Sequence, residues 1–437
     1  MTLDDTAVLG LFPDGTVRDE DGMMQVGGVR LDELAATYGT PALIVNETQI
    51  RNTARRYVRA LTSHWPKGRV AFASKSFPCT AVYRIAAEEG LWVDVAGLGE
   101  LHLALAAGVA GDRLLVHGNA KSDQEIEAYL RAGAGLIVLD NADDVERLVR
   151  IAPLVGRGAD QPQPVLIRLI PGISPDTHAA MDTGRDSSKF GLPIDQAEAL
   201  AERVRAAPAL RLDGVHIHIG SQILAADPFA RAPKALAALV AGTSLRGLPV
   251  VDLGGGLGSR YTLSDQPPTI EQYIGALAEG ATGLFGPETI VMLEPGRSLV
   301  AAAGLSLYRV TTVKRTGKTF AAVDGGMGDN LEVSLYGQRF EVAPVSLPVA
   351  GVGRPLEVCD VVGRHCESGD RLVEDAVLPR PEVGDLLAVP VTGAYTFTMS
   401  NYYNGAHRPP VVFVAEGDHR LVVRRESLDD LGRRDVL

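Results

Sequence analysis

The sequence predicts an α/β protein, a (β/α)8 barrel joined to a C-terminal β-domain, and three observations carry that reading. From Arg69 to Arg297, eight short apolar runs rich in β-formers alternate with amphipathic helical stretches, the pattern that builds parallel sheets. After Arg297 the chain changes to β-rich segments punctuated by Gly and Pro. A three-glycine turn, VDLGGGLG, follows the seventh of the eight runs, and loops after the last strands of such barrels often hold phosphate.

The eight strand candidates are VAFAS, WVDVA, LLVHG, LIVLD, VLIRLI, GVHIHIG, VVDLGG and IVMLEPG. Helices are expected at Gly99 to Ala107, Ser122 to Arg131, Asp143 to Ile151, Asp195 to Ala206 and Ile270 to Leu284. Ser122 with Glu125 fits a capping box, and Gly108 and Gly133 stand where helices stop. A strand count alone is equally compatible with an open doubly wound sheet; the glycine turn favours the barrel. Downstream, LSLYRVTTVKR, TFAAVDGG, RPLEVCDVVG, DLLAVPV and PPVVFVAEG read as strands, as do short pieces of TVRDEDGMMQVGGVRL near the N-terminus. The expected division is a barrel over 46–303 and a β-domain made from 1–45 together with 304–437. The loop Pro171 to Phe190 has turn formers and no period, the texture of a lid.

Bulk composition narrows the function. With 42 Lys+Arg against 54 Asp+Glu, the net charge of −12 disfavours nucleic acid, which is bound by surplus cations. The acidic start MTLDDTAVLG is unlike a secretory signal, and no apolar run is long enough to span a bilayer, so a cytoplasmic protein with no membrane partner is expected. Cys79, Cys359 and Cys366 are odd in number and lack CxxC spacing, which indicates neither a disulfide framework nor a zinc site.

Chemistry concentrates at strand ends. Lys75 ends VAFAS, where a partly desolvated amine suits covalent chemistry with a carbonyl; alone, it reads as a solvated lysine. Gly254, Gly255 and Gly256 let backbone N–H groups crowd a phosphate, or merely make a tight turn. Glu294, in LEPGR with Gly296 and Arg297, needs a partner if buried: a pyridinium nitrogen, or Arg297 in a structural ion pair. In GVHIHIGSQ, alternation puts His216 and His218 on one face, with Ser221 beyond; no third ligand follows at metal spacing, so His218 reads as a ring stacked on a flat cofactor and His216 as a core histidine. Cys366, between His365 and Glu367 in a polar loop, reads as a proton donor, whereas Cys359 sits in an apolar run. Tyr395 offers a hydroxyl to a phosphate or packs in the core. Lysine, phosphate cradle and buried carboxylate together are what pyridoxal 5'-phosphate requires.

The ordered set ASKSF, WVDVAGLGEL, HGNAKSDQEI, TGRDSSKFG, HIHIGSQ, DLGGGLG, EPGR, DGGMGDN, HCESGD and GAYTFTMSNYYN spans nearly the whole chain. It resembles the fold type III pyridoxal phosphate decarboxylases, most closely the diaminopimelate decarboxylase family. The resemblance implies an alanine racemase-like barrel with a β-domain, and a homodimer with active sites shared across its interface. It implies that Lys75 is the Schiff-base lysine, His218 the stacking residue and Glu294 the pyridinium partner. Ser221, Gly254 to Gly256, Gly296, Arg297 and Tyr395 match phosphate and substrate contacts, Cys366 the acid that protonates the substrate carbon, and Glu367 a group near the substrate amine. In DNLEVSLY, Tyr336 matches a family tyrosine, but Glu332 stands where the family usually carries a substrate-binding arginine, with Arg339 and Arg185 nearby as alternative cations. The expected activity is decarboxylation of meso-diaminopimelate to L-lysine. A related decarboxylase acting on another amino acid or a carrier-bound aminoacyl group stays open, as do a racemase and a non-catalytic homologue.

Overall fold

The computed structural model describes residues 5–173, 189–347 and 353–436. It contains two units: Thr53–Gly258 with Pro267–Leu299, and Met1–Asn52 with Ser259–Gln266 and Val300–Leu437.

The first unit is a closed parallel barrel. Its strands are β1 (Arg69–Ala73), β2 (Trp92–Val95), β3 (Leu114–Val116), β4 (Leu136–Leu139), β5 (Gln163–Arg168), β6 (Leu210–His216), β7 (Val250–Asp252) and β8 (Ile290–Leu293), and β8 closes onto β1 through Met292–Arg69 and Leu293–Val70. The open-sheet alternative is thereby excluded. All eight expected strands are present because each is short, apolar and bounded by turn formers. Ala71, Trp92, Leu115, Leu136, Val138, Leu166, Val250 and Met292 pack together as a buried cluster, so this barrel is a packed core rather than a pore.

Helices follow the strands. The Ser122–Glu125 capping box is formed in full, and a second, Thr269 with Gln272, starts Ile270–Gly280; each cap contributes about 1 kcal/mol by satisfying orphan amides. Thr80–Glu88 and Asp227–Val240 complete the set, the latter in spite of Pro233 in its interior. Buried Phe229, Ala232 and Leu236 supply the packing that offsets the hydrogen bond lost at that proline. Most of the Pro171 to Phe190 loop, with Arg185, lies outside the described residues.

The second unit holds a nine-stranded sheet in the order Arg371–Pro379, Leu356–Val362, Thr319–Val323, Gly304–Arg315, Ala42–Asn46, Val411–Ala415 and Asp418–Val423, with Leu386–Pro390 and Ala343–Pro344 branching from Gly304–Arg315. Ala42–Asn46 runs antiparallel to Gly304–Arg315 and parallel to Val411–Ala415, so both ends of the chain share one sheet. They share one core too: Met24, Val26, Leu31 and Ile44 pack with Leu305, Leu307, Ala388, Val412 and Val414. The N-terminal short strands form a separate three-stranded sheet, Val17–Arg18, Met24–Val26 and Val29–Arg30.

Candidate active site

The C-terminal ends of the barrel strands gather a ring of polar groups: Asp94 on β2, His117 after β3, Arg168 on β5, His216 on β6, Asp252 on β7 and Glu294 after β8. Barrel geometry explains the gathering, because every parallel strand delivers its last residue to one face. Glu294 is at the centre. His117 Nε2 lies 2.7 Å from Glu294 Oε1, and His216 Nε2 lies 3.4 Å from the same oxygen. The longer contact is electrostatic only, which leaves both ring nitrogens of buried His216 without a hydrogen-bond partner.

Protonation follows from these distances. Burial pushes Glu294 up, but the His117 imidazole hydrogen-bonded to it overrides that and holds the carboxyl well below its ordinary range. Burial also opposes charge on His117, yet Glu294 and Asp94 raise it, so the pair is an imidazolium beside a carboxylate. Burial drives His216 down to about 4, hence neutral. Asp94 is pushed up to about 7 by burial. Burial and the adjoining Glu294 charge raise Asp252 well above the carboxylate range, so it keeps its proton. The partner of Glu294 is therefore His117, not the Arg297 suggested by LEPGR. His117, Asp94, Arg168 and Asp252 were not singled out from sequence, although each is a lone polar residue in or at the end of an apolar run. The ligand atoms of His117, His216 and Glu294 lie within 4.8 Å of one another, a third ligand that spacing along one strand could not reveal. The 2.7 Å His117–Glu294 hydrogen bond is one that an ion would have to break.

The glycine turn leans on this cluster. Gly254 and Gly256 have φ of +67° and +119°, values open to glycine at little cost. A Cβ would stand 2.6 Å from Ile217 O at Gly254, 2.2 Å from Glu294 O at Gly255 and 2.6 Å from Gly220 O at Gly256. Two of the amides serve the protein itself: Gly254 N–H donates to Asp252 Oδ1 at 2.9 Å and Gly255 N–H to His218 Nδ1 at 3.2 Å. That second bond fixes the His218 tautomer with its proton on Nε2. Burial, Lys75 and Arg168 keep His218 neutral by lowering it well below 6.5. The strand β6 ends at His216, so His218 lies just past it, and Ser221 follows in the next turn. Gly255→Ala is expected to cost about 1–3 kcal/mol, because backbone must move to admit the methyl; thermal unfolding and cofactor titration of the variant check this.

Lys75 occupies the turn Ser74–Ser76 directly after β1 and is exposed, a correction to the partly desolvated amine expected from sequence. Its charge acts on Asp94, Glu100 and His218. The EPGR segment packs beside it: Ala73 N–H donates to Pro295 O at 3.1 Å, and a Cβ on Gly296 would lie 3.0 Å from Ala73 Cβ. Arg297 is buried and opens the short helix Arg297–Val300.

The remaining sequence candidates belong to the other unit. Cys366 is exposed on a loop braced from several sides. Its N–H donates to Asn404 Oδ1 at 2.9 Å, Asp370 accepts from His365 N–H at 2.8 Å and Met327 N–H at 2.6 Å, and His365 Nε2 accepts from Gly328 N–H at 3.0 Å. Glu367 follows in the same loop, whereas Cys359 is buried with its thiol pushed up to about 11 by burial. Tyr395 is half-buried at φ +61°, a left-handed conformation uncommon for a tyrosine. Tyr336 ends the helix Glu332–Tyr336; Glu332 is 1% exposed, with the Tyr261 hydroxyl 3.5 Å from its Oε2. Tyr261 was not anticipated as its neighbour, since 71 residues separate them.

A family model of the pyridoxal binding domain of pyridoxal-dependent decarboxylases matches residues 47–301. A diaminopimelate decarboxylase from Actinosynnema pretiosum subsp. auranticum is 42% identical over 448 residues, covering 100% of this chain and 98% of that protein. One from Bacillus subtilis (strain 168) is 39% identical, covering 98% of each. The crystal structure of diaminopimelate decarboxylase from M. jannaschii in co-complex with L-lysine superposes with a TM-score of 0.88 at 30% identity, over 98% of this chain and 99% of that one. The chain belongs to the pyridoxal-dependent decarboxylases, within the diaminopimelate decarboxylase family.

Proposed function

We propose that the chain removes carbon dioxide from meso-diaminopimelate to give L-lysine, using pyridoxal 5'-phosphate. The observation that carries this is the oriented, anionic Glu294, tied to His117 at 2.7 Å on the same barrel face as Lys75. The face fits the cofactor. The three glycines leave room where any Cβ would strike backbone, the Gly256 amide donates to no group among the described residues, and the buried ring nitrogens of His216 lack partners. Lys75 would anchor the cofactor, Glu294 would face its ring nitrogen, neutral His218 would stack on the ring, and Ser221, Gly254 to Gly256, Gly296, Arg297 and Tyr395 would hold phosphate and substrate. When bound, the cofactor supplies an electron sink for the carbanion left as the carboxylate departs.

The protein's own share is electrostatic and protonic. His117 supplies the positive charge that keeps Glu294 ionised in a buried place, so the carboxylate is oriented before anything binds. The Gly255 amide orients His218. The Lys75 side chain lies within electrostatic reach of Asp94 and Glu100, and Cys366 on its braced loop would be the acid that returns a proton to the substrate carbon. We read the chain as a cytoplasmic homodimer in which Cys366 and Glu367 serve the partner's site. No helix among the described residues is long and apolar enough to cross a membrane.

Glu332 does not overturn the substrate. Buried beside Tyr261, its carboxylate is held within its own unit, and Arg339 and Tyr336 remain as candidate contacts for the distal end of the substrate. A decarboxylation panel of meso-diaminopimelate, lysine, ornithine, arginine and glutamate tests the reading: carbon dioxide is expected from diaminopimelate, with the same preference in Glu332→Gln. Preferred turnover of lysine or ornithine, lost in Glu332→Gln, would instead assign Glu332 to a substrate cation.

A further inference from the structure

The opposite end of the barrel carries a second charged cleft, and its argument is independent of the reaction. A cavity of about 660 Å3 opens at the N-terminal ends of the strands. Arg69 is the first residue of β1, Trp92 the first of β2, Arg113 ends the turn before β3, and Arg157 lies in the loop before β5. Lys67 and Asp112 complete its charged lining, and Lys67 is already paired with Glu288.

Three arginines thus converge in a chain whose net charge is −12. Among the described residues, none of Arg69, Arg113 and Arg157 forms an ion pair, although 54 acidic side chains were available to the fold. The nearby acid Asp213 is paired with Arg211 at 2.6 Å. Arg113 donates to Gly90 O at 3.2 Å, and the Arg69 guanidinium sits over the Trp92 ring, 4.8 Å from its centroid. Trp92 is itself part of the barrel core, so Arg69 is held by a rigid support. Half-burial and the repulsion of Arg113 work against the Arg69 charge, and Asp213, itself engaged by Arg211, offsets that cost only in part. Guanidinium forks held beside one another in a concave, partly dry site match the oxygens of phosphate and carboxylate groups.

We propose that this cleft is a binding site for a small multivalent oxyanion, a phosphate ester or a polycarboxylate, gripped by Arg69, Arg113 and Arg157. The test uses the holoenzyme, so that the cofactor's own phosphate site is filled. Pyrophosphate and citrate are titrated separately at low ionic strength, followed by calorimetry and by tryptophan fluorescence. The fluorescence is informative because the chain's two tryptophans are Trp92 in the cleft and Trp65 next to its lining residue Pro66. Saturable one-to-one binding is expected, weakened about tenfold in Arg113→Gln and in Arg157→Gln as each charge-assisted contact is lost. Tighter pyrophosphate assigns a phosphate ester, tighter citrate a polycarboxylate. Decarboxylation without added anion is expected to be unchanged in both variants, which shows that they fold. A response that never saturates with either probe, or binding that is equal in wild type and both variants, would overturn the proposal.

Discussion

Lys75→Ala is expected to leave the barrel folded and to lower kcat by at least about 10^3-fold. The side chain is exposed on a short turn, between Ser74 and Ser76, which are buried, so its removal creates no core cavity. What changes is charge and covalent capacity. Lys75 lowers Asp94 and Glu100 and helps keep His218 neutral, and no arginine can substitute as a nucleophilic amine. Unchanged thermal unfolding, loss of the cofactor on dialysis and loss of turnover are the expected set. The same variant tests the subunit arrangement. If Cys366 serves the partner's site, mixing Lys75→Ala with Cys366→Ala subunits restores about a quarter of wild-type activity, because half of the dimers are mixed and each has one intact site. No recovery on mixing would place Lys75 and Cys366 of one site in the same subunit.

Much of this was legible in the chain, for physical reasons that differ between elements. The eight barrel strands are short, apolar and isolated by turn formers, so local pattern and tertiary role agree. The Ser122 cap is a purely local motif and appears as read. Asp227–Val240 was not read as a helix because Pro228 and Pro233 argue against it locally, while its buried face argues for it only once the barrel exists. The strands Arg371–Pro379 and Asp418–Val423 carry charged residues at several positions and gain their identity from pairing with Leu356–Val362 and Val411–Ala415. At the candidate active site, motifs pointed to Lys75, Glu294 and the glycines. They did not point to His117, which is 177 residues from Glu294 in the chain and meets it only through barrel closure. The glycine amides differed from expectation for a related reason: Gly254 and Gly255 donate to Asp252 and His218, partners visible only in three dimensions.

Glu294→Gln is expected to lower kcat by about 10^2- to 10^3-fold, by removing an anion aimed at the site of developing charge while keeping the shape of the side chain. The electrostatics of the wild type give this variant a second, independent signature. Glu294 has a folded pKa below its unfolded value, so its contribution to stability is present above the ordinary carboxylate range and is lost only as pH falls through the depressed folded value. His117 is raised above 6.5, so its contribution is complete below that value and fades as pH rises through the raised one. The pair is consequently strongest between those limits. With glutamine at 294, the main charge that raises His117 is gone while burial still opposes the imidazolium, so His117 should titrate below 6.5. An NMR titration of the histidine ring protons reads this directly, in protein with and without cofactor. If His117 titrates at the same pH in wild type and variant, Glu294 does not set its charge, and the 2.7 Å contact is not the source of the oriented anion. If His117 shifts but turnover is unaffected, the ion pair is real yet belongs to stability alone, and the ring-nitrogen role proposed for Glu294 falls.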